Sequence, residues 1–439
     1  MTTAAASQPF GEEELREQKI HHGIDPADIA IGVVIGRTSE FFDFFVYAIA
    51  SVLVFPRFIF PYVDPLTGTL YSFALFALAF IARPLGTFLF MTLDRHYGRS
   101  AKLMAALFLL GSSTAAIAFL PGYDSIGHSA ALALAIFRIG QGMALGGAWD
   151  GLASLLALNA PTGRRGWYAM IPQLGAPLGL IVASLLFAYF ASSLEAKDFF
   201  DWGWRYPFYC AFAINVVALF ARLRIVASPE YERLYDSRDL QPTTFRDTLS
   251  THWRTIILGA FAPLASFALF HMVTVFPLSW VFLFTQESPV RFLLIEAAAG
   301  AVGVAAIVAS GIIADRIGRR SLLGVCAVAI AIFSVFAPFV LDGGTNGEMV
   351  FMFFGFILLG LSFGQSSGVV ASGFQTQYRY TGSALTSDLA WMFGAGFAPL
   401  VALWLTIHFG LLASGIYLLS GAVGTMAALW LNRELAKHH

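Results

Sequence analysis

Twelve stretches of about twenty residues, nearly free of charge, run through this chain and leave it few ways to fold. A bilayer's hydrocarbon core is roughly 30 Å thick and takes about 20 apolar residues to cross as an α-helix. Inside it every backbone N–H and C=O must find its partner within the protein. Read this way, the spans fall at about 29–53, 69–91, 102–120, 130–157, 168–191, 206–223, 255–284, 290–313, 321–341, 349–372, 382–408 and 411–431. Barrel strands are excluded, because each run is too long and lacks strict alternation. The expectation is an all-α polytopic membrane protein.

Composition agrees. Charged residues make up 12% of the 439 and apolar residues 58%, against about 25% charged in a soluble domain. A soluble enzyme, a disordered chain and a secreted disulfide scaffold are all excluded. The net charge of −1 gives nucleic acid no basic footprint. Cys210 and Cys326 sit in apolar runs and read as packing residues. No Cys/His grouping has metal-ligand spacing. Residues 1–28 form a polar tail rather than a signal peptide, which needs an early apolar run.

Lys and Arg orient the chain. With twelve spans, both termini and the even-numbered connections share one side. That side carries 19 of the 26 basic residues, the other carries 4, and Arg37, Arg83 and Arg138 lie inside spans. Basic loops stay cytoplasmic, so both termini are expected there.

The chain also reads as two halves. A polar stretch at 225–254 separates a bundle at 29–224 from one at 255–431, and 432–439 is a short tail. The connection after span 2 contains Asp94, Arg95 and Arg99; the connection after span 8 contains Asp315, Arg316 and Arg319. Asp94 and Asp315 are 221 positions apart, about half the chain. Parallel duplicated halves are a transporter architecture. A short turn with an acid and several arginines can tie helix ends by ion pairs and helix-dipole contacts, so both copies are expected to form a cytoplasmic gate.

Several motifs carry a family resemblance: Glu40-Phe41-Phe42-Asp43-Phe44 with Tyr47; Ala82-Arg83-Pro84-Leu85-Gly86; Arg138-Ile139-Gly140-Gln141-Gly142 with Gly146-Gly147; Pro172-Gln173-Leu174-Gly175; Trp204-Arg205-Tyr206-Pro207; and Arg379-Tyr380-Thr381-Gly382. Over essentially its whole length the chain resembles the major facilitator superfamily. More narrowly it resembles the metabolite:proton symporter branch, with its organic-acid, shikimate and proline-betaine carriers. The resemblance implies a rocker-switch carrier with a central cavity between the halves, moving solute with protons.

An ionisable side chain inside a bilayer is costly and marks a functional position by default. Arg37, Glu40 and Tyr47 recur at helical spacing, with Asp43 at the edge of the same stripe. Either Arg37 pairs structurally with Glu40 or Asp43, or it helps bind an anion while one acid titrates. Arg138 and Gln141 project in similar directions, and Arg138 either contacts a carboxylate or ties its own bundle together. Gln173, the lone histidine His271 and Asp388 complete the expected cavity set, with Arg83 and Asp150 as structural or coupling residues. The branch usually has a Glu where this chain has Ala148, and Asp150 is about 200° further round a helix. Glu296 reads as an interfacial or structural acid.

No phosphate-binding loop, nucleophile triad or zinc motif supports an enzyme or an ATP-driven pump. The expected function is proton-coupled uptake of a small, carboxylate-bearing or zwitterionic solute. It would work as a monomer in a bacterial inner membrane, with the proton motive force in place of any cofactor. Efflux of aromatic or apolar compounds and a non-transporting membrane sensor are the alternatives.

Overall fold

The computed structural model describes residues 26–148, 156, 160–161, 163–226, 242–367 and 374–432. Trp149 and Asp150, and most of the connection between the halves, lie outside the described residues. No strand occurs among them. Among the described residues eleven helices are long and apolar enough to cross a membrane. Helix α1, Pro26–Leu53, is the twelfth and differs by carrying Arg37, Glu40 and Asp43 within one span. The others are α2 Pro65–Tyr97, α3 Arg99–Ala118, α4 Ser129–Gly147, α5 Arg165–Ser193, α6 Tyr206–Val226, α7 Leu264–Phe284, α8 Pro289–Ile317, α9 Arg319–Leu341, α10 Gly344–Phe363, α11 Gln377–Phe409 and α12 Leu411–Leu431.

Local chemistry sets their ends. Asp64 caps α2 through the amides of Leu66 and Thr67, ahead of Pro65 at the first helical position. Gly98 and Gly318 occupy equivalent turns at φ +80° and +85°, a region open to glycine. The seventh span departs from the single run expected at 255–284. A separate helix, Phe245–Phe261, precedes α7, and α7 itself is interrupted at Val275 (φ −116°) just before Pro277. Proline supplies no backbone N–H and crowds the preceding turn. In α11 the stretch Trp391–Gly396 is π-helical, a local widening often found at functional sites.

The packing repeats with the sequence. Within the first half α2 lies on α4, α1 on α5 and α6, and α3 on α6; within the second α8 lies on α10, α7 on α12 and α11, and α9 on α12. The halves meet along two seams, α5 against α8 and α2 against α11, which exchange under the same six-helix shift. Close approach of α2 and α4 depends on glycine: a Cβ at Gly142 or Gly146 would overlap the carbonyl oxygen of Ala79 or Arg83.

Candidate functional site

A cavity of about 30 Å³ lies between the halves, lined by Arg37, Glu40, Phe41, Phe44, Phe80, Arg83 and Trp391, with Ala79 and Leu145. A water needs roughly 10–15 Å³ on this measure, so the space is on the scale of a few waters.

Its charged lining is paired. Arg37 Nη1 donates to Glu40 Oε2 at 2.7 Å, and Arg222 Nη2 donates to Glu40 Oε1 at 2.5 Å. Arg83 Nε donates to Asp388 Oδ1 at 2.7 Å, while Thr87 Oγ1 donates to Asp388 Oδ2 at 2.5 Å. The Arg83–Asp388 pair crosses from one half to the other. Arg37 lies over the Phe41 ring at 5.1 Å and Arg83 over Trp391 at 5.9 Å. Arg37, Glu40 and Arg83 line the cavity, and Arg222 and Asp388 stand behind them as partners. Arg222, counted from sequence among the loop cations, is a buried partner of Glu40.

The stripe read along span 1 separates into two sites. Asp43 does not line the cavity. Its carboxylate faces the interior of the first bundle, where Thr114 Oγ1 (2.5 Å), Gln141 Nε2 (3.3 Å) and Asn215 Nδ2 (3.3 Å) donate to it. Arg138 joins this cluster through Gln141 Oε1 at 3.1 Å and stacks on Tyr47, its guanidinium carbon 4.0 Å from the ring centre. Both Arg138 and Tyr47 are buried within their own half and off the cavity wall. Thr114 and Asn215 give no signal in sequence, because small polar residues in apolar helices are common.

Gln173 is buried in a 3₁₀ stretch within α5, Ile171–Leu174, off the cavity wall, with no hydrogen-bond partner on Oε1. His271 contributes an aromatic face. Its ring stacks on Phe44 at 5.3 Å and meets Phe76 and Phe80 of the opposite half. Its Nδ1 lies 3.3 Å from Thr274 Oγ1.

The two gate motifs act differently. Asp315 accepts from the Gly166 and Trp167 amides, at 2.6 and 3.1 Å, at the start of α5 in the other half. A carboxylate on a helix N-terminus is held by both hydrogen bonds and dipole. Asp94 reaches the opposite half indirectly: Lys102 Nζ is 3.3 Å from Asp94 Oδ2 and donates to Tyr380 Oη at 2.6 Å. Arg99 and Arg319 are buried beside these turns, whereas Arg95 and Arg316 are exposed.

Glu296, read as an interfacial or structural acid, is a buried one. It is fully buried between α5 and α8, with Ser184 Oγ of the other half donating to Oε2 at 3.0 Å.

The Major Facilitator Superfamily sequence pattern matches residues 38–395. The chain is 38% identical to the inner membrane metabolite transport protein YhjE of Escherichia coli (strain K12), covering 92% of this chain and 94% of that protein. It is 30% identical to the Shikimate transporter of the same organism, over 91% and 93%. Its fold resembles the D-xylose-proton symporter structure with TM-score 0.70 at 19% identity, covering 92% and 97%.

Proposed function

The chain belongs to the major facilitator superfamily, a family of membrane transporters and not of enzymes, and we propose that it carries a small carboxylate-bearing metabolite into the cell together with protons. The observation that carries this reading is the ionic lining of the cavity between the halves. Arg37 and Arg83 line it beside Glu40, and guanidinium forks suit a carboxylate. The aromatic walls, Phe41, Phe44, Phe80 and Trp391, accept an apolar solute body and give a purely polar one little to bind.

The coupling follows from Asp388. Ionised, it holds Arg83 across the seam. Protonated, it loses the charge that attracts the guanidinium, so the halves separate there and Arg83 turns to the solute. Solute carboxylate and Asp388 carboxylate thus compete for one cation, which links proton and solute movement. Asp43, Gln141 and Arg138 keep the first bundle rigid around this event. Asp94, Asp315 and their partners latch the basic face, which is the cytoplasmic one in this reading, with both termini inside. The two six-helix bundles move as units within a bacterial inner membrane. The relatives' names support metabolite cargo, and the symporter neighbour supports proton coupling.

The test is uptake by purified protein in proteoliposomes against a panel of organic acids, zwitterions and apolar aromatics, with and without an inward proton gradient. Gradient-dependent accumulation of an organic acid is expected. Transport that ignores the gradient for every solute overturns the symport reading, and outward movement of apolar aromatics would replace it with efflux.

A further inference from the structure

Away from the gate turns, each seam between the halves holds one buried carboxylate among the described residues, and only one of these two has a cation. On the α2–α11 seam Asp388 meets Arg83 and Thr87. On the pseudo-equivalent α5–α8 seam Glu296 meets Ser184 alone. Glu296 is 0% exposed, and its Oε1 has no hydrogen-bond partner.

The neighbours leave this carboxyl without charge compensation. On α8, Arg291 lies five residues earlier and pairs with Glu287 at the helix start. On α10 the ionisable residue at that end is Glu348, beside the same Glu287–Arg291 pair. On α5 it is Tyr189, which is 61% exposed and turned away. The adjoining part of α7, Phe276–Phe284, carries none; on α9 the cations Arg319 and Arg320 lie at the far end of α8, and Asp342 at its other end adds no positive charge. An ionised carboxylate buried without a cation costs far more than a neutral one.

Asp315, near the basic end of α8, grips the start of α5, while Glu296 lies 19 residues back along α8, about 28 Å away at the helical rise. The same pair of antiparallel helices is therefore tied at one level by an acid on backbone amides and at the other by an acid with only a hydroxyl.

We propose that Glu296 is a proton-binding site separate from the central cavity, protonated when the α5–α8 seam is shut on the side opposite the basic face and deprotonated when that side opens to water. Opening replaces Ser184 by water around the carboxyl and releases the proton to solvent. Closing takes it up again. The site thus couples the outer door to pH whatever solute the cavity carries.

Spin labels at Ser193→Cys on α5 and Ser288→Cys on the turn before α8, with Cys210→Ser and Cys326→Ala, report this door in lipid nanodiscs by pulsed distance measurement. From about pH 6 to about pH 9 the ratio of open to closed distances is expected to rise by up to tenfold per pH unit, the slope of one linked proton. Glu296→Gln, a copy of the neutral acid, should fold and keep the short distance throughout. Glu296→Asp should retain pH dependence. A Gln variant that tracks the wild type overturns the proposal. So does a Gln variant that fails to fold while the Asp variant folds, because the buried group would then need its charge. Neither outcome bears on solute uptake, which tests the cavity separately.

Discussion

Arg83 and Asp388, 305 positions apart in the chain, meet at 2.7 Å across the boundary between the two halves. Both are largely buried, and Thr87 supplies the second carboxylate oxygen with its hydrogen bond. A buried pair contributes little net stability against an apolar substitute, but removing one partner strands a charge at about 3–5 kcal/mol. Arg83→Ala should therefore lower the thermal midpoint far more than the double variant Arg83→Met/Asp388→Leu. Thermal unfolding followed by size exclusion ranks them. Equal losses would mean that the pair is not electrostatically coupled.

Asp315→Asn should loosen the basic-face latch. The carboxylate accepts two backbone amides of the other half, and losing its charge at a helix N-terminus is worth roughly 0.3–1 kcal/mol, up to about 2. The population open on that face should rise about two- to fivefold, read as faster alkylation of a cysteine placed on the α5–α8 seam. Unchanged labelling would remove Asp315 from the gate. Arg316→Ala, at an exposed position, should leave labelling as it is.

Arg138→Lys should weaken the first bundle. The guanidinium stacks on Tyr47 and also lies over Phe76 and Phe44, at 4.9 and 5.5 Å, and desolvated contacts of this kind are worth about 2 kcal/mol. An ammonium keeps the charge and loses the plane. The expected outcome is a lower melting midpoint, with a Gln141→Ala double-mutant cycle showing coupling. Strict additivity would separate the two residues.

Helix contact by glycine gives a test with an internal control. Gly142→Ala and Gly146→Ala each push a methyl into α2 backbone, and overpacking costs about 1–3 kcal/mol or more where backbone must move. At Gly324 a Cβ would sit 3.9 Å from Leu429, so Gly324→Ala should be tolerated. Yield of monodisperse protein distinguishes them.

On the face opposite the basic one, Thr345 Oγ1 donates to Glu287 Oε1 at 2.6 Å, and Arg291 also pairs with Glu287. The Thr345 hydrogen bond, with help from Arg291, holds the Glu287 carboxyl below its ordinary value. A lowered folded-state value means that its stabilisation is complete above the normal carboxylate range and disappears as pH falls through the folded value. The melting advantage of wild type over Glu287→Gln should therefore shrink on acidification. It should be small throughout, because the pair is solvent-screened. An advantage that grows in acid would contradict the assignment.

Much of the fold was legible in the chain itself. Run lengths gave the spans, Lys and Arg placement gave a sidedness, and the 221-residue offset between Asp94 and Asp315 pointed to the duplication seen in the helix packing. The site was legible only in part. Arg37, Glu40 and Arg83 stood out as charges inside spans and line the cavity, yet Asp43, three residues from Glu40 and about 60° round the helix, faces the bundle interior. Sequence spacing fixes that angle but not what stands opposite it. Arg222 was hidden among loop arginines because hydropathy cannot tell a guanidinium at a helix end that points outward from one that reaches back to Glu40. The burial of Glu296 was hidden for a related reason: the α5–α8 seam is as apolar as a lipid-facing surface, and only packing shows which residues the other half covers.

In the proposed cycle, protonation of Asp388 releases Arg83 and so ties proton movement to solute movement. The most direct check compares gradient-driven accumulation with solute exchange for Asp388→Asn in proteoliposomes. Accumulation should fall to the level reached without a proton gradient, while exchange of labelled for unlabelled solute continues. Accumulation that persists under the gradient in this variant would contradict the account.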